Sequence, residues 1–162
     1  DYCAGGGGKS LALAAWLDGA VHAHDVNPRR MVDLPARAKR ANAQISTRAK
    51  DQFAPEYGVV FCDAPCSGSG SWRRDPEGKW ALTQDQLDAL ISTQRDILSD
   101  AATLVAPDGR LVYATCSVLS CENQDQIDWF MAQNPTWQVE TQKQLFPSAQ
   151  GDGFFASVLT QL

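Results

Sequence analysis

Nothing in this 162-residue sequence reads as a membrane anchor. No apolar run approaches the roughly 20 residues that a spanning helix needs, and the N-terminus lacks the layout of a secretory signal. Positive charge is scarce: 14 Lys and Arg stand against 19 Asp and Glu, a net charge of -5. That balance argues against nonspecific binding of nucleic acid through the whole surface. The cysteines, Cys3, Cys62, Cys66, Cys116 and Cys121, are odd in number. Without a secretion signal they predict a reducing, cytoplasmic setting rather than a disulfide framework. Their spacing also fails to match a zinc site, so no metal is expected. The sequence has no internal repeat and no low-complexity linker, and its length suits one domain with a real core. There is no initiating methionine, and the chain starts inside a motif, as a fragment of a longer protein would.

What is present begins with "DYCAGGGGKS". Asp1-Tyr2-Cys3 reads as the end of a strand. Gly5 to Gly8 can take backbone angles closed to other residues, and Lys9 to Leu17 reads as a helix. Strand end, glycine turn and helix start form the usual cradle of a nucleotide-like ligand. A phosphate loop would need its first glycine at position 3, which is Cys3. A phosphate loop, another nucleotide bend and a glycine-rich tail are the three readings, and the apolar helix that follows argues against the tail.

Strand and helix then alternate. Strands are predicted at Gly19 to His24, Gln44 to Thr47, Tyr57 to Cys62 and Arg110 to Thr115, with two more at Trp137 to Thr141 and Phe154 to Thr160. Helices are predicted at Pro28 to Ala41, kinked or split by Pro35, from a Thr83 cap to about Val105, and at Glu122 to Gln133. Pro65 to Trp80 reads as a loop and Pro107-Asp108-Gly109 as a turn. The pattern predicts an α/β fold with a mostly parallel sheet covered on both faces. Such sheets bind ligands beyond the carboxyl ends of their strands, where Cys3, Asp25, Asp63, Cys66 and Cys116 all fall.

Each of these has a bland reading beside the functional one. Asp25 either accepts hydrogen bonds from ribose hydroxyls or caps the next helix. In "DAPCSGSGSWRRDP", Asp63 and Cys66 flank Pro65, and Arg73 and Arg74 are placed to neutralise polynucleotide phosphates. A second basic cluster, Arg29, Arg30, Arg37, Lys39, Arg40, Arg48 and Lys50, is equally the solvated face of a helix. In "YATCSVLSCENQ", Cys116 ends a central strand and is a nucleophile if its thiol pKa is lowered. Buried structural cysteines are common, but Cys66 and Cys116 both follow strand ends, and each precedes a serine. Cys62 and Cys121 read as structural.

"DYCAGGGGKS", "DAPCSGSGSWRRDPEGKW", "YATCSVLSCENQ" and the terminal "DGFFASVL" together closely resemble the NOP/Sun family of RNA cytosine-5 methyltransferases, nearest the bacterial small-subunit ribosomal RNA type. The resemblance covers essentially the whole chain. It implies a Rossmann-like class I S-adenosylmethionine-dependent methyltransferase, with a mostly parallel seven-stranded sheet, an antiparallel last strand and a truncated first strand. It implies that residues 1–162 are the catalytic domain of a protein with an upstream RNA-binding domain, acting as a monomer on RNA. Ribosomal RNA is favoured and transfer RNA is second. Cys3, Ala4, Gly5, Gly6, Gly7, Gly8 and Lys9 would wrap S-adenosylmethionine, and Asp25 would hold its ribose. Asp51 is the candidate acid on the adenine side. Asp63 would stand by both methyl donor and target base. Cys116 would be the nucleophile, Cys66 would assist product release, and Arg73 and Arg74 would touch RNA. Where the family loop carries a proline this chain has Gly6, which loosens the loop without removing a donor. The rival readings are a phosphate-loop nucleotide hydrolase and a non-catalytic RNA-binding or assembly module with the same fold.

Overall fold

The structure, a computed structural model, describes residues 1–17, 19–54 and 57–162. The glycine run leads directly into helix α1 (Gly8–Leu17), followed by strand β1 (Val21–Ala23), helix α2 (Leu34–Arg40) and strand β2 (Ile45–Thr47). Next come strand β3 (Tyr57–Asp63), helices α3 (Pro76–Ala81) and α4 (Gln84–Ala102), and strand β4 (Val105–Thr115). Helix α5 (Gln124–Gln133) and strands β5 (Trp137–Leu145) and β6 (Phe154–Gln161) complete the chain.

Among the described residues six strands form two sheets. β1 pairs with β2 in parallel, and a four-stranded sheet has the order β3-β4-β6-β5. There β3 and β4 run parallel, while β6 is antiparallel to both neighbours. Residues 1–4 lie between the sheets. Tyr2 N–H donates to Phe61 O at 2.8 Å, Ala4 N–H to His24 O at 2.7 Å, and His24 N–H to Asp1 O at 2.8 Å. The opening segment therefore bridges the two sheets through backbone hydrogen bonds.

Several boundaries differ from expectation for local reasons. Pro35 does not kink a long helix; Pro28–Met31 is a separate 3-10 turn, and Pro35 stands in the first turn of α2, where its missing N–H has no partner to lose. The stretch expected as a loop from Pro65 to Trp80 contains a 3-10 turn at Ser69–Ser71 and α3. α4 stops at Ala102, because Val105 already pairs with Tyr57. Pro107-Asp108-Gly109 lies inside β4, taken up as an irregularity between the pairs Tyr57–Val105 and Val59–Arg110. β5 runs on past Thr141 to Leu145 along β6. Within the strand predicted at Tyr57 to Cys62, Val59 is 37% exposed, whereas Val60 and Cys62 point into the core.

One core cluster, including Tyr113, Phe130, Phe155, Leu98 and Leu111, fills the space between the four-stranded sheet and α4 and α5. Each such side chain contributes roughly 1.5–3 kcal/mol by leaving water. A second cluster, Ala4, Ala23, Met31 and Leu34, packs the glycine loop onto β1 and α2. Thr83 and Gln86 exchange hydrogen bonds in a capping box that starts α4. The buried stripe of α4 is Gln94, Leu98 and Ala101, so a polar residue stands among its core positions.

Candidate active site

One crevice of about 770 Å³ opens at the carboxyl ends of β1, β3 and β4. Cys3 to Gly6, Gly8, Lys9, Asp25, Asp63, Cys66 and Cys116 all border it. Gly7 does not, because it turns toward the protein. It has φ of +77°, and a Cβ there would stand 2.2 Å from Leu34 Cδ1. Only glycine combines that left-handed angle with so close an approach. The loop is braced from outside as well: the Arg37 guanidinium donates to the Gly6 carbonyl.

Asp25 is 3% exposed. Its Oδ1 accepts the Asn27 N–H at 2.9 Å, and its Oδ2 accepts the Gly5 N–H at 2.9 Å and faces Arg30 Nη1 at 3.1 Å. The side-chain cap of the 3-10 turn at Pro28–Met31 is Asn27, not Asp25. Asp25 thus ties the glycine loop to the end of β1, and three of the roughly four acceptor sites of a carboxylate are used.

The parallel register of β3 and β4 sets Asp63 opposite Ala114, and Ala64 N–H donates to Ala114 O at 2.9 Å. Both chains therefore leave the sheet at one edge, and the sulfurs of Cys66 and Cys116 come within 3.4 Å. This contact lowers the Cys116 thiol to about 7 by stabilising its thiolate, with a smaller contribution from the Lys9 ammonium, against the opposing effects of burial and Asp63. Cys66 moves the other way, raised by the same hydrogen bond and by burial. Cys116 is therefore the more acidic of the two thiols, and Cys66 the one that better keeps its proton. Lys9 Nζ lies 2.6 Å from Asp63 Oδ2, joining the start of α1 to the end of β3. Burial holds the Cys3 thiol up at about 12, and Cys62 and Cys121 lie away from the crevice.

Other expected residues stand elsewhere. Asp51 is exposed in the 3-10 turn Lys50–Gln52 and does not border the crevice; its neighbour Lys50 does, paired with Asp100 at 2.5 Å. Arg73 and Arg74 both pair with Asp152, and Arg73 also donates to Ser148 O at 2.9 Å. In the basic cluster from Arg29 to Lys50, Arg30 and Arg37 serve the glycine loop rather than forming a purely solvated face. Among the described residues no group of three or more His, Cys, Asp and Glu is arranged to hold a metal ion, and no helix is long and apolar enough to cross a membrane.

Sequence reasoning missed a buried polar network under the two sulfurs. Glu122 is fully buried. It accepts the Ser67 N–H at 2.7 Å, the Ser67 hydroxyl at 2.5 Å, the Ser117 hydroxyl at 2.6 Å and Gln94 Nε2–H at 3.1 Å. Gln94 also donates to Pro65 O at 2.9 Å, which explains a glutamine on the core stripe of α4. The signal was present: a serine follows each special cysteine, and an acid opens "ENQ".

Residues 1–160 match the family model described as 16S rRNA methyltransferase RsmB/F. The chain belongs to that family. RsmB/F proteins are S-adenosylmethionine-dependent RNA methyltransferases of the NOP/Sun group that the four motifs resemble. The protein named ribosomal RNA small subunit methyltransferase B in Cronobacter sakazakii is 34% identical over 175 residues, which cover 98% of this chain and 41% of that protein. Its namesake in Photorhabdus laumondii is 33% identical over 177 residues, covering 99% and 41%. The chain thus spans about two-fifths of the length of these curated relatives. The crystal structure of PH0851 superposes with a TM-score of 0.90 at 31% identity, over 98% of this chain and 41% of that one. NSun6 from Pyrococcus horikoshii, solved with SFG, gives 0.86 at 21% identity, over 99% of this chain and 47% of that one, a likeness of fold. Membership of the RsmB/F family leaves no place for the phosphate-loop reading of Gly8-Lys9-Ser10.

Proposed function

We propose that residues 1–162 are the catalytic domain of an enzyme that methylates carbon 5 of a cytosine in RNA, with ribosomal RNA as the substrate. The observation that carries this reading is the approach of the Cys66 and Cys116 sulfurs to 3.4 Å at the crevice edge, with Cys116 as the more acidic thiol. A non-catalytic module has no use for a thiol pair so divided. The seven-stranded reading of the sheet is supported by residues 1–4, which hydrogen-bond to both sheets where a central strand would lie.

The crevice fits S-adenosylmethionine. Its volume of about 770 Å³ suits a ligand of that size. The glycine loop lets backbone approach closely, and Asp25 keeps an acceptor site for a ribose hydroxyl, with the exposed Arg30 free to give way. Val26 and Ile97 supply apolar wall. When bound, the cofactor supplies a sulfonium methyl group to an activated carbon 5.

The chain's own residues supply the activation. The Cys116 thiolate adds to carbon 6 of the cytosine, forming a C–S bond and pushing an electron pair toward carbon 5 and ring nitrogen 3. Asp63 would act there by sharing a proton with ring nitrogen 3, which neutralises the negative charge that builds on the ring. After transfer a base, solvent water in the open crevice, takes the proton from carbon 5, the C–H electron pair restores the 5,6 double bond, and the C–S bond breaks with its electrons returning to Cys116. Cys66 S–H, already a donor to that sulfur, favours its departure as thiolate. The target base must be unstacked to reach the thiols.

The test is a comparison of 5-methylcytosine in cellular RNA with and without the full-length gene. Loss of one ribosomal RNA mark is expected; loss of a transfer RNA mark instead would move the substrate to the second reading. In the full-length protein, Cys116→Ala should abolish transfer and retain cofactor binding. Cys66→Ala should accumulate a denaturant-resistant protein–RNA adduct. An active Cys116→Ala protein would refute the covalent route.

A further inference from the structure

Among the described residues, the one buried acid that the proposed chemistry leaves unused is Glu122. Burying a carboxylate is expensive unless it is fully hydrogen-bonded, and among the described residues Glu122 makes no ion pair. Four neutral donors satisfy it instead, two on each oxygen. Those donors belong to three separate pieces of chain. Ser67 follows Cys66, Ser117 follows Cys116, and Gln94 projects from α4 while holding the carbonyl of Pro65, the residue before Cys66. The pattern continues outward. The Ser117 hydroxyl gives its proton to Glu122, so the Ser69 hydroxyl, 2.8 Å away, must donate to Ser117; Ser69 in turn accepts the Val118 N–H at 2.9 Å. On the main chain, the Gly70 N–H donates to Cys116 O at 2.9 Å.

We propose that Glu122 is a positioning residue: its carboxylate clamps the residues after both cysteines and so sets the approach of the two sulfurs. An apolar side chain of similar size would fill the space but leave the Ser67 N–H and two hydroxyls without acceptors. The negative charge also acts in the useful direction. After the hydrogen bond to Cys116 and burial, Glu122 is among the causes that raise the Cys66 thiol and keep its proton in place. What the sulfurs do rests on the function proposed above; the clamp itself does not.

The test uses the full-length protein and dibromobimane, a reagent that joins two nearby thiols. The readout is the ratio of 66–116 cross-linked to singly alkylated peptide, measured by mass spectrometry. Glu122→Gln keeps the shape but turns an NH2 group toward donors. It should lower that ratio by roughly tenfold, the factor that about 1.4 kcal/mol represents, and lower kcat similarly. Its affinity for S-adenosylmethionine, set at the far side of the crevice, should be unchanged, which also reports an intact fold. A parental cross-linking ratio in folded Glu122→Gln overturns the proposal, whatever happens to kcat. A reduced ratio with parental kcat upholds the clamp and instead sinks the catalytic use of the sulfur pair. If Glu122→Gln does not fold, Ser117→Ala removes one arm alone, and a parental ratio there overturns the proposal equally.

Discussion

Lys9 and Asp63 meet at 2.6 Å between the first turn of α1 and the last residue of β3, and both border the crevice that holds the thiol pair. Their charges act on Cys116 in opposite senses, the ammonium lowering its thiol and the carboxylate raising it. The thiolate predominates above about pH 7 and is lost as pH falls through that value. Alkylation of Cys116 by iodoacetamide should therefore rise with pH through a midpoint near 7. Lys9→Met should move the midpoint up and Asp63→Asn should move it down. Mass spectrometry of the Cys116 peptide reads this without RNA or cofactor. Equal midpoints in the two variants would show that neither charge reaches the sulfur.

Asp25 offers a sharper division between structure and binding. It already receives Gly5 N–H, Asn27 N–H and Arg30, so its removal loosens the glycine loop as well as deleting the proposed ribose acceptor. Asp25→Ala should weaken S-adenosylmethionine binding by about 1–3 kcal/mol, the loss expected for hydrogen bonds to a charged group. Arg30→Ala should leave that affinity equal or tighter, because it frees Oδ2. Titration calorimetry on both proteins checks the pair. Unchanged affinity in Asp25→Ala would reduce Asp25 to a brace of the loop.

The order of elements and the edge on which the site lies were legible because both depend on local patterning. Apolar β-branched runs mark β3 and β4, glycines mark the loop, and a parallel crossover leaves the carboxyl ends of neighbouring strands together. Contacts between distant segments were not legible. Gln94 reads as a solvent residue in a helix whose periodicity points to leucines, and only its tertiary partners, Pro65 and Glu122, explain its burial. Pro107-Asp108-Gly109 carries every local sign of a turn, and pairing with β3 absorbs it into a strand. The role of Arg37 was equally hidden, since its partner is a backbone carbonyl 31 positions away.

The two arginines expected to touch RNA share a single acid. Asp152 faces Arg73 and Arg74 together, and Arg73 also reaches Ser148 O, so the pair pins the turn before β6. Phosphates would have to displace Asp152 to engage them. Both side chains are more than half exposed, which makes the exchange inexpensive. Arg74→Ala should weaken RNA binding and make its salt dependence shallower by about one ion, with methyl transfer at saturating RNA retained. Asp152→Asn should strengthen RNA binding. Filter binding across a salt series measures both, and an unchanged slope in Arg74→Ala would confine this arginine to a structural role.

Gly7 provides the strictest steric prediction. Its φ of +77° strains any L side chain, and a Cβ would lie 2.2 Å from Leu34 Cδ1 and 2.9 Å from Leu34 Cδ2. Leu34 is 1% exposed and packs in the cluster of Ala4, Ala23 and Met31, so it has nowhere to retreat. The left-handed angle alone costs about 1–2 kcal/mol, and overpacking adds about 1–3 kcal/mol. Gly7→Ala should therefore lower unfolding stability by several kcal/mol and push the loop away from α2, weakening S-adenosylmethionine binding with it. The neighbouring position is the control: a Cβ on Gly8, the first residue of α1, meets nothing within 4 Å. Gly8→Ala should be neutral or stabilise by about 0.4–1 kcal/mol through the unfolded chain. Urea unfolding of the two proteins separates the outcomes. Equal midpoints would mean that the loop can turn without the left-handed residue, and that the packing of Leu34 does not set its path.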